Sequence, residues 1–227
     1  MAIGVSRILG IKVRENFLRP FFCKTIQEYW IRWHMSLTTW ITDYIFMPLN
    51  IAFRSIGNLG LYLATFINLV VIGAWHGANW TFILFGMYHG LLLVFDAAIS
   101  KRRKKFEKKH NLKTNIIYKY SNVFICFMLV TIGLTLFQAK DLSAFIGTMQ
   151  HLSTGFGELF YKGGTLYINL MFIFILLFKE MKDEHGLEIH LLHSEKLWDR
   201  MVSFSALVVV ILLMGDFYGC GFIYFQF

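Results

Sequence analysis

The chain has 227 residues, 56% of them hydrophobic and 16% charged, with a net charge of +8. A soluble domain carries about a quarter charged residues, so this composition and a mean hydropathy of +0.55 exclude an ordinary soluble protein. The basic excess does not point to nucleic acid: seven of the 22 Lys and Arg residues fall within Lys101–Lys109, directly after an apolar segment, and no groove-reading motif accompanies them. Such a cluster reads as a cytoplasmic anchor facing anionic headgroups.

Met1–Pro20 has no uninterrupted apolar stretch and is not a secretory signal. Arg7, Lys12, Arg14 and Arg19 punctuate it, as in an irregular or short-helical surface segment. Thr25-Ile26-Gln27-Glu28 then fits a capping box, which marks a helix start. From there Trp30, Trp33, His34, Leu37, Trp40, Ile41, Tyr44 and Ile45 recur at helical spacing, with Glu28, Arg32, Ser36, Thr39 and Asp43 opposite. The pattern predicts one amphipathic helix, interfacial or re-entrant in the membrane and ended by Pro48.

No Asp, Glu, Lys or Arg occurs between Arg54 and Asp96, enough chain for two bilayer crossings at roughly 20 residues each. Five apolar segments are expected at 57–75, 79–98, 120–138, 164–179 and 201–215, separated by a basic 100–118 loop, a 140–163 loop with two Lys, and a mixed-charge 180–200 loop. The fold class is all-α: a polytopic membrane helix bundle with an amphipathic interfacial or re-entrant helix. Residues 1–227 form a single membrane domain, with surface and amphipathic helices in 1–54 and the membrane segments in 55–227. The aromatic tail Phe217–Phe227 is expected to pack on the bundle. Cys23, Cys126 and Cys220 are too few and too irregularly spaced for a disulfide framework or a metal knuckle; Cys126 suits an apolar core.

The uncharged stretch contains Gly73-Ala74-Trp75-His76-Gly77-Ala78-Asn79-Trp80. A histidine there needs a polar partner or a cavity. From the residues alone, His76 is equally a packing histidine, with Gly73 and Gly77 forming a small-residue helix contact. His34, beside Trp33, reads first as a satisfied core histidine, and His89, framed by Gly86 and Gly90, as structural. Two buried histidines suit a general base and an oxyanion donor, yet a proton relay or a transporter site would use the same pair. His185, Glu188, His190 and His193 have loose metal spacing within a charged loop, and no metal site is expected there. No nucleophile elbow, P-loop or dinucleotide fingerprint is present.

Glu28-Tyr29-Trp30-Ile31-Arg32-Trp33-His34-Met35-Ser36-Leu37, followed by Trp40, Asp43-Tyr44 and Pro48-Leu49, resembles one signature of the membrane-bound O-acyltransferase family. Trp75-His76-Gly77-Ala78, Trp80-Thr81-Phe82 and Gly86 through His89-Gly90 resemble a second. The resemblance is nearest to the bacterial alginate O-acetyltransferase branch, continuous over about residues 1–95 and returning at Phe222–Phe227. It implies that His76 is the catalytic histidine and His34 the second histidine of the catalytic tunnel, with Trp33, Trp75, Asn79 and Asp43 in support. It further implies transfer of an acyl group, typically acetyl, in the bacterial inner (cytoplasmic) membrane. The donor would be a thioester co-substrate, acetyl-CoA or an acyl carrier, with no bound cofactor, and the acceptor a hydroxyl of an exported polysaccharide. An extracytoplasmic acyltransferase partner completes delivery in this branch, and D-alanyl transfer to teichoic acid is a rival chemistry within the family. Family members carry several membrane helices before the sequence that opens this chain. The resemblance therefore covers their C-terminal half, and an N-terminal half is a further expected partner. Alone, the chain is expected to be inactive and to dimerise through the Gly73/Gly77 or Gly86/Gly90 faces; an inactive module pairing with a missing half is the alternative.

The charge pattern makes a topological prediction. With the native cysteines removed, a cysteine at Lys104 should stay unlabelled by an impermeant thiol reagent added outside, while one at Gly157 should react; the opposite result inverts the topology.

Overall fold

The structure, a computed structural model, describes residues 2–154, 163–186 and 196–214. Gly157, Glu188, His190, His193, Cys220 and Phe217–Phe227 lie outside the described residues. Those described form helices without a strand, in two compact units, Met1–Gly163 and Gly164–Phe227. The second unit contains α9 (Gly163–Glu184, reaching back one residue) and α10 (Leu197–Met214), which cover the fourth and fifth apolar segments.

The first unit is built on α5 (Asn58–Trp75), α6 (Trp80–Lys109) and α7 (Ile116–Gln138). All three are long and apolar enough to cross a membrane: the 18 residues of α5 rise about 27 Å, close to the thickness of a bilayer core. The chain is a membrane protein of the expected all-α class. A four-residue turn makes α5 and α6 an antiparallel hairpin. A Cβ on Gly73 would run into the Phe82 carbonyl, and one on Gly86 into the Leu69 carbonyl, with Val70 Cα 3.0 Å away. The two glycines face the same contact and let the backbones touch. This corrects the expectation that the Gly73 and Gly86 faces are open for dimerisation: α5 and α6 cover each other there, and Gly77 belongs to the turn.

Two expected loops are helical. The Lys101–Lys109 cluster is the last stretch of α6, because Lys and Arg are good helix formers and suit a helix C-terminus. Within 140–163, Asp141 accepts from the Ala144 amide at 2.8 Å and starts α8 (Leu142–Thr154).

The predicted single amphipathic helix is instead broken. A short helix α1 (Ala2–Ile8) leads into extended chain, and α2 spans Ile26–Arg32. Thr25 Oγ1 accepts from Glu28 N at 3.0 Å, as in a capping box. Glu28 Oε2 returns to the amide of Lys24 at 2.8 Å, one residue before the cap. After a break at Trp33 and His34 come α3 (Met35–Ile41), a π-helical turn (Thr42–Phe46) and α4 (Met47–Ala52). Pro48 does not end the pattern as expected: the helical run continues through it to Ala52, with the π-helical turn just before it. The predicted apolar stripe is thereby split: Trp30 and Ile41 are buried, whereas Trp40 and Tyr44 are exposed.

The core joins Tyr29 and Trp30 of α2 to Leu69 and Ile72 of α5, Phe85 of α6, and Cys126 and Val130 of α7. Cys126 is buried in it, as expected. Gly86→Ala drives a methyl into the α5 backbone. Overpacking of a rigid contact costs about 1–3 kcal/mol or more, so a lower unfolding temperature in detergent is expected; an unchanged one would show that the helices can part at no cost.

Candidate active site

The break between α2 and α3 has a specific cause. His34 adopts the left-handed conformation, φ 45° and ψ 51°, a region that non-glycine residues enter at a cost of order 1–3 kcal/mol. The break strips Met35 and Ser36 of helical partners for their amides. The preceding extended segment supplies them: Met35 N donates to Asn16 O at 2.9 Å and Ser36 N to Asn16 Oδ1 at 2.8 Å. Leu18 N donates to Arg32 O at 2.9 Å. The kink is therefore a joint whose lost hydrogen bonds are replaced by the preceding segment.

The His34 ring reaches the end of α5. His34 and Trp75 have centroids 6.1 Å apart, and Trp75 lies 4.9 Å from His76, so one indole edge links the two histidines. His34 Nδ1 is buried and has no hydrogen-bond partner among the described residues. His76 follows α5 directly, its amide donating to Gly73 O at 3.1 Å, and its ring meets Phe137 of α7 edge-on at 4.8 Å. Burial, with His34 nearby adding a second contribution, lowers the His76 pKa to about 4; a lowered histidine pKa keeps the ring neutral at pH 7.

The turn beyond His76 needs its glycine. Gly77 has φ +150°, and a Cβ there would stand 3.1 Å from the Phe82 ring. Asn79 closes the turn: its Oδ1 accepts from Thr81 N at 3.2 Å, and its Nδ2 donates to Lys140 O at 3.0 Å, tying α6 to the end of α7. The expected residues thus separate. His34, Trp75 and His76 come together, and Asn79 braces their turn. Trp33 flanks the kink, stacked on Tyr29 at 5.4 Å and edge-on to Phe17 at 4.8 Å. Asp43 is exposed on the π-helical turn and makes no hydrogen bond or ion pair to either histidine among the described residues.

His89 lies in the core, and neither of its ring nitrogens has a hydrogen-bond partner among the described residues. It is fully buried, held by Tyr29, Trp30 and Phe85, and Gly133 of α7 makes room for its ring. Beside Trp30 lies a cavity of about 310 Å³ between α2, α3, α5 and α6. Trp30 Nε1 and Asn68 Oδ1, on two of its lining residues, are buried without partners.

Two supporting residues escaped the sequence reading. Asn16 carried no signal. Asp96 did, as the acid that closes the long uncharged run: it is buried in α6, accepts from Gln27 N at 3.2 Å in the first turn of α2, and pairs with Arg103. Gln27 meets Asp96, Trp30 meets His89 and Phe85, and His34 meets Trp75. Helix α2 therefore runs antiparallel along α6 from its basic end, and the kink that follows it reaches Trp75.

A membrane helix hairpin carrying one histidine after its first helix, with a second histidine brought in on a kinked limb, defines the class. The sequence profile of the MBOAT, membrane-bound O-acyltransferase family matches residues 1–138, and the chain belongs to that family. It is 36% identical over 146 residues to the probable alginate O-acetylase AlgI of Azotobacter vinelandii, covering 63% of this chain and 26% of that protein. To the teichoic acid D-alanyltransferase of Streptococcus thermophilus it is 37% identical over 148 residues, 60% of this chain and 35% of that protein. The peptidoglycan O-acetyltransferase of Helicobacter pylori is 33% identical over 148 residues, covering 63% and 26% respectively. The chain thus spans about a quarter to a third of the length of these relatives.

Asp96→Ala removes the anchor of the limb that carries His34. Breaking a fully buried ion pair costs about 3–5 kcal/mol; Arg103 keeps 24% exposure, so a loss at or below the lower end is expected. Hydrogen exchange should accelerate at amides 26–32 while the middle of α7 stays protected; unchanged exchange in α2 would remove Asp96 from this role.

Proposed function

We propose that the protein takes part in O-acyl transfer, moving an acyl group from a thioester donor to a hydroxyl of an exported polymer, with His76 as general base and His34 as hydrogen-bond donor. Neutral His76 takes the proton of the acceptor hydroxyl as its oxygen attacks the thioester carbonyl. His34 donates to the oxygen that becomes negative. The carbon–sulfur bond then breaks, and the sulfur leaves as a thiol with the proton held by His76. No covalent enzyme intermediate is needed. Each role is typically worth about a hundredfold in rate.

The observation that carries this reading is His34: a strained left-handed residue, with a buried unpartnered ring nitrogen, placed against the same tryptophan as His76. Strain of this kind is retained where the surrounding structure enforces it, commonly at working sites. Acetyl transfer to an alginate-like polysaccharide in a bacterial inner membrane, with an extracytoplasmic acyltransferase partner, is the finer proposal, supported by the alginate O-acetylase relatives. The D-alanyltransferase relative supports a second reading, D-alanyl transfer to teichoic acid. Trp75 and Trp33 would wall the site and Asn79 hold its turn, whereas the exposed position of Asp43 gives it no direct part.

Membranes carrying the chain, with and without an extracytoplasmic acyltransferase partner and an added N-terminal half, should be supplied with labelled acetyl or D-alanyl thioester and polymer acceptor. His76→Ala should lower transfer at least about a hundredfold at unchanged membrane level, and His34→Ala should impair it less. Transfer by His76→Ala above about a tenth of the parent rate is incompatible with a general base. The label that reaches polymer decides between the two donors.

A further inference from the structure

At the far end of α6, about 35 Å of helix from the turn that holds His76, lies a second concave site. Residues of the α2 start, the α6 end and the α7 start enclose a cavity of about 390 Å³, with Lys24, Arg103, Lys104 and Lys119 among its lining. One acid of the lining is paired with a cation, and the other meets a neutral hydroxyl and keeps its charge. Glu28 accepts from Arg32 Nη2 at 2.6 Å and from Lys24 N at 2.8 Å, and Glu107 accepts from Tyr118 OH at 3.1 Å. Arg103 is held by Asp96. The ammonium groups of Lys24, Lys104 and Lys119 remain, none of them in a salt bridge among the described residues. Three segments distant in sequence thus bring three cations to one hollow without three anions to match.

The level of the hollow decides the ligand. The apolar part of α6 ends near Ser100 and α7 begins at Ile116, so the cavity stands where two membrane-length helices meet water. Ile116 and Ile117, directly before Tyr118 and Lys119, are 70% and 78% exposed. Bare apolar side chains beside a cationic hollow match a molecule with a phosphate at its head and hydrocarbon below it. Basic pockets between membrane helices bind such headgroups, each Lys near the surface adding to the attraction. We propose that this cavity is a binding site for the phosphodiester headgroup of an anionic phospholipid.

The test uses the full chain purified in mild detergent. Native mass spectrometry would count retained lipid after titration with phosphatidylglycerol or phosphatidylcholine. Phosphatidylglycerol should be retained in preference to phosphatidylcholine. The Lys24→Gln/Lys104→Gln/Lys119→Gln variant should lose that preference by about tenfold or more. Lys104→Glu, a single change at an exposed position, should weaken it in the same direction should the triple variant fail to fold. Lys101→Gln/Lys105→Gln/Lys108→Gln removes equal charge from the same helix outside the cavity and should leave retention intact. Equal loss in both triple variants would reduce the effect to diffuse charge and overturn the site. Displacement of the lipid by millimolar inorganic phosphate would overturn the lipid assignment in favour of a soluble phosphate ligand.

Discussion

The architecture around the histidines depends on one requirement: backbone amides freed inside a membrane protein must find new partners. A helix broken at Trp33 and His34 frees the amides of Met35 and Ser36 from helical partners. Asn16 answers both, with its carbonyl on Met35 and its side chain on Ser36. The irregular N-terminal segment is thus a working part of the kink.

The hairpin supplies the other half of the geometry. Gly73 and Gly86 let α5 and α6 touch, and Gly77 turns the chain directly after His76. The turn is locked to α7 through Asn79 and Lys140. At the opposite end Asp96 holds the first turn of α2. Asp96 of α6 therefore fixes the start of the limb and Trp75 of α5 receives its kink, so two histidines far apart in sequence meet across Trp75. The arrangement also polarises the molecule, with the histidine pair at one end of α6 and the cationic hollow at the other.

Much of this was legible beforehand. The uncharged run from Arg54 to Asp96 announced α5 and α6, since a charge within it would have to be desolvated. The cap at Thr25 marked the start of α2, and the tryptophan–histidine motifs singled out His34 and His76. The single amphipathic helix was misread for a physical reason: a helical period persists through Trp33 and His34, and the break comes from partners supplied by a different segment. The basic stretch is helix where the charge pattern predicts a loop, because Lys and Arg continue a helix readily.

By itself, the sequence determined the all-α membrane class, the apolar spans and the candidate histidines, because hydropathy, capping and motif spacing are local properties of the chain. Only the tertiary structure decided that His34 leaves its helix in a left-handed conformation and reaches Trp75. It alone showed that Gly73 and Gly86 serve one internal contact, that Asp96 anchors α2, and that Asp43 stands exposed on the π-helical turn. Each of these depends on a group more than a helical turn away along the chain, and local pattern carries no record of which distant carbonyl or carboxylate will meet a given amide.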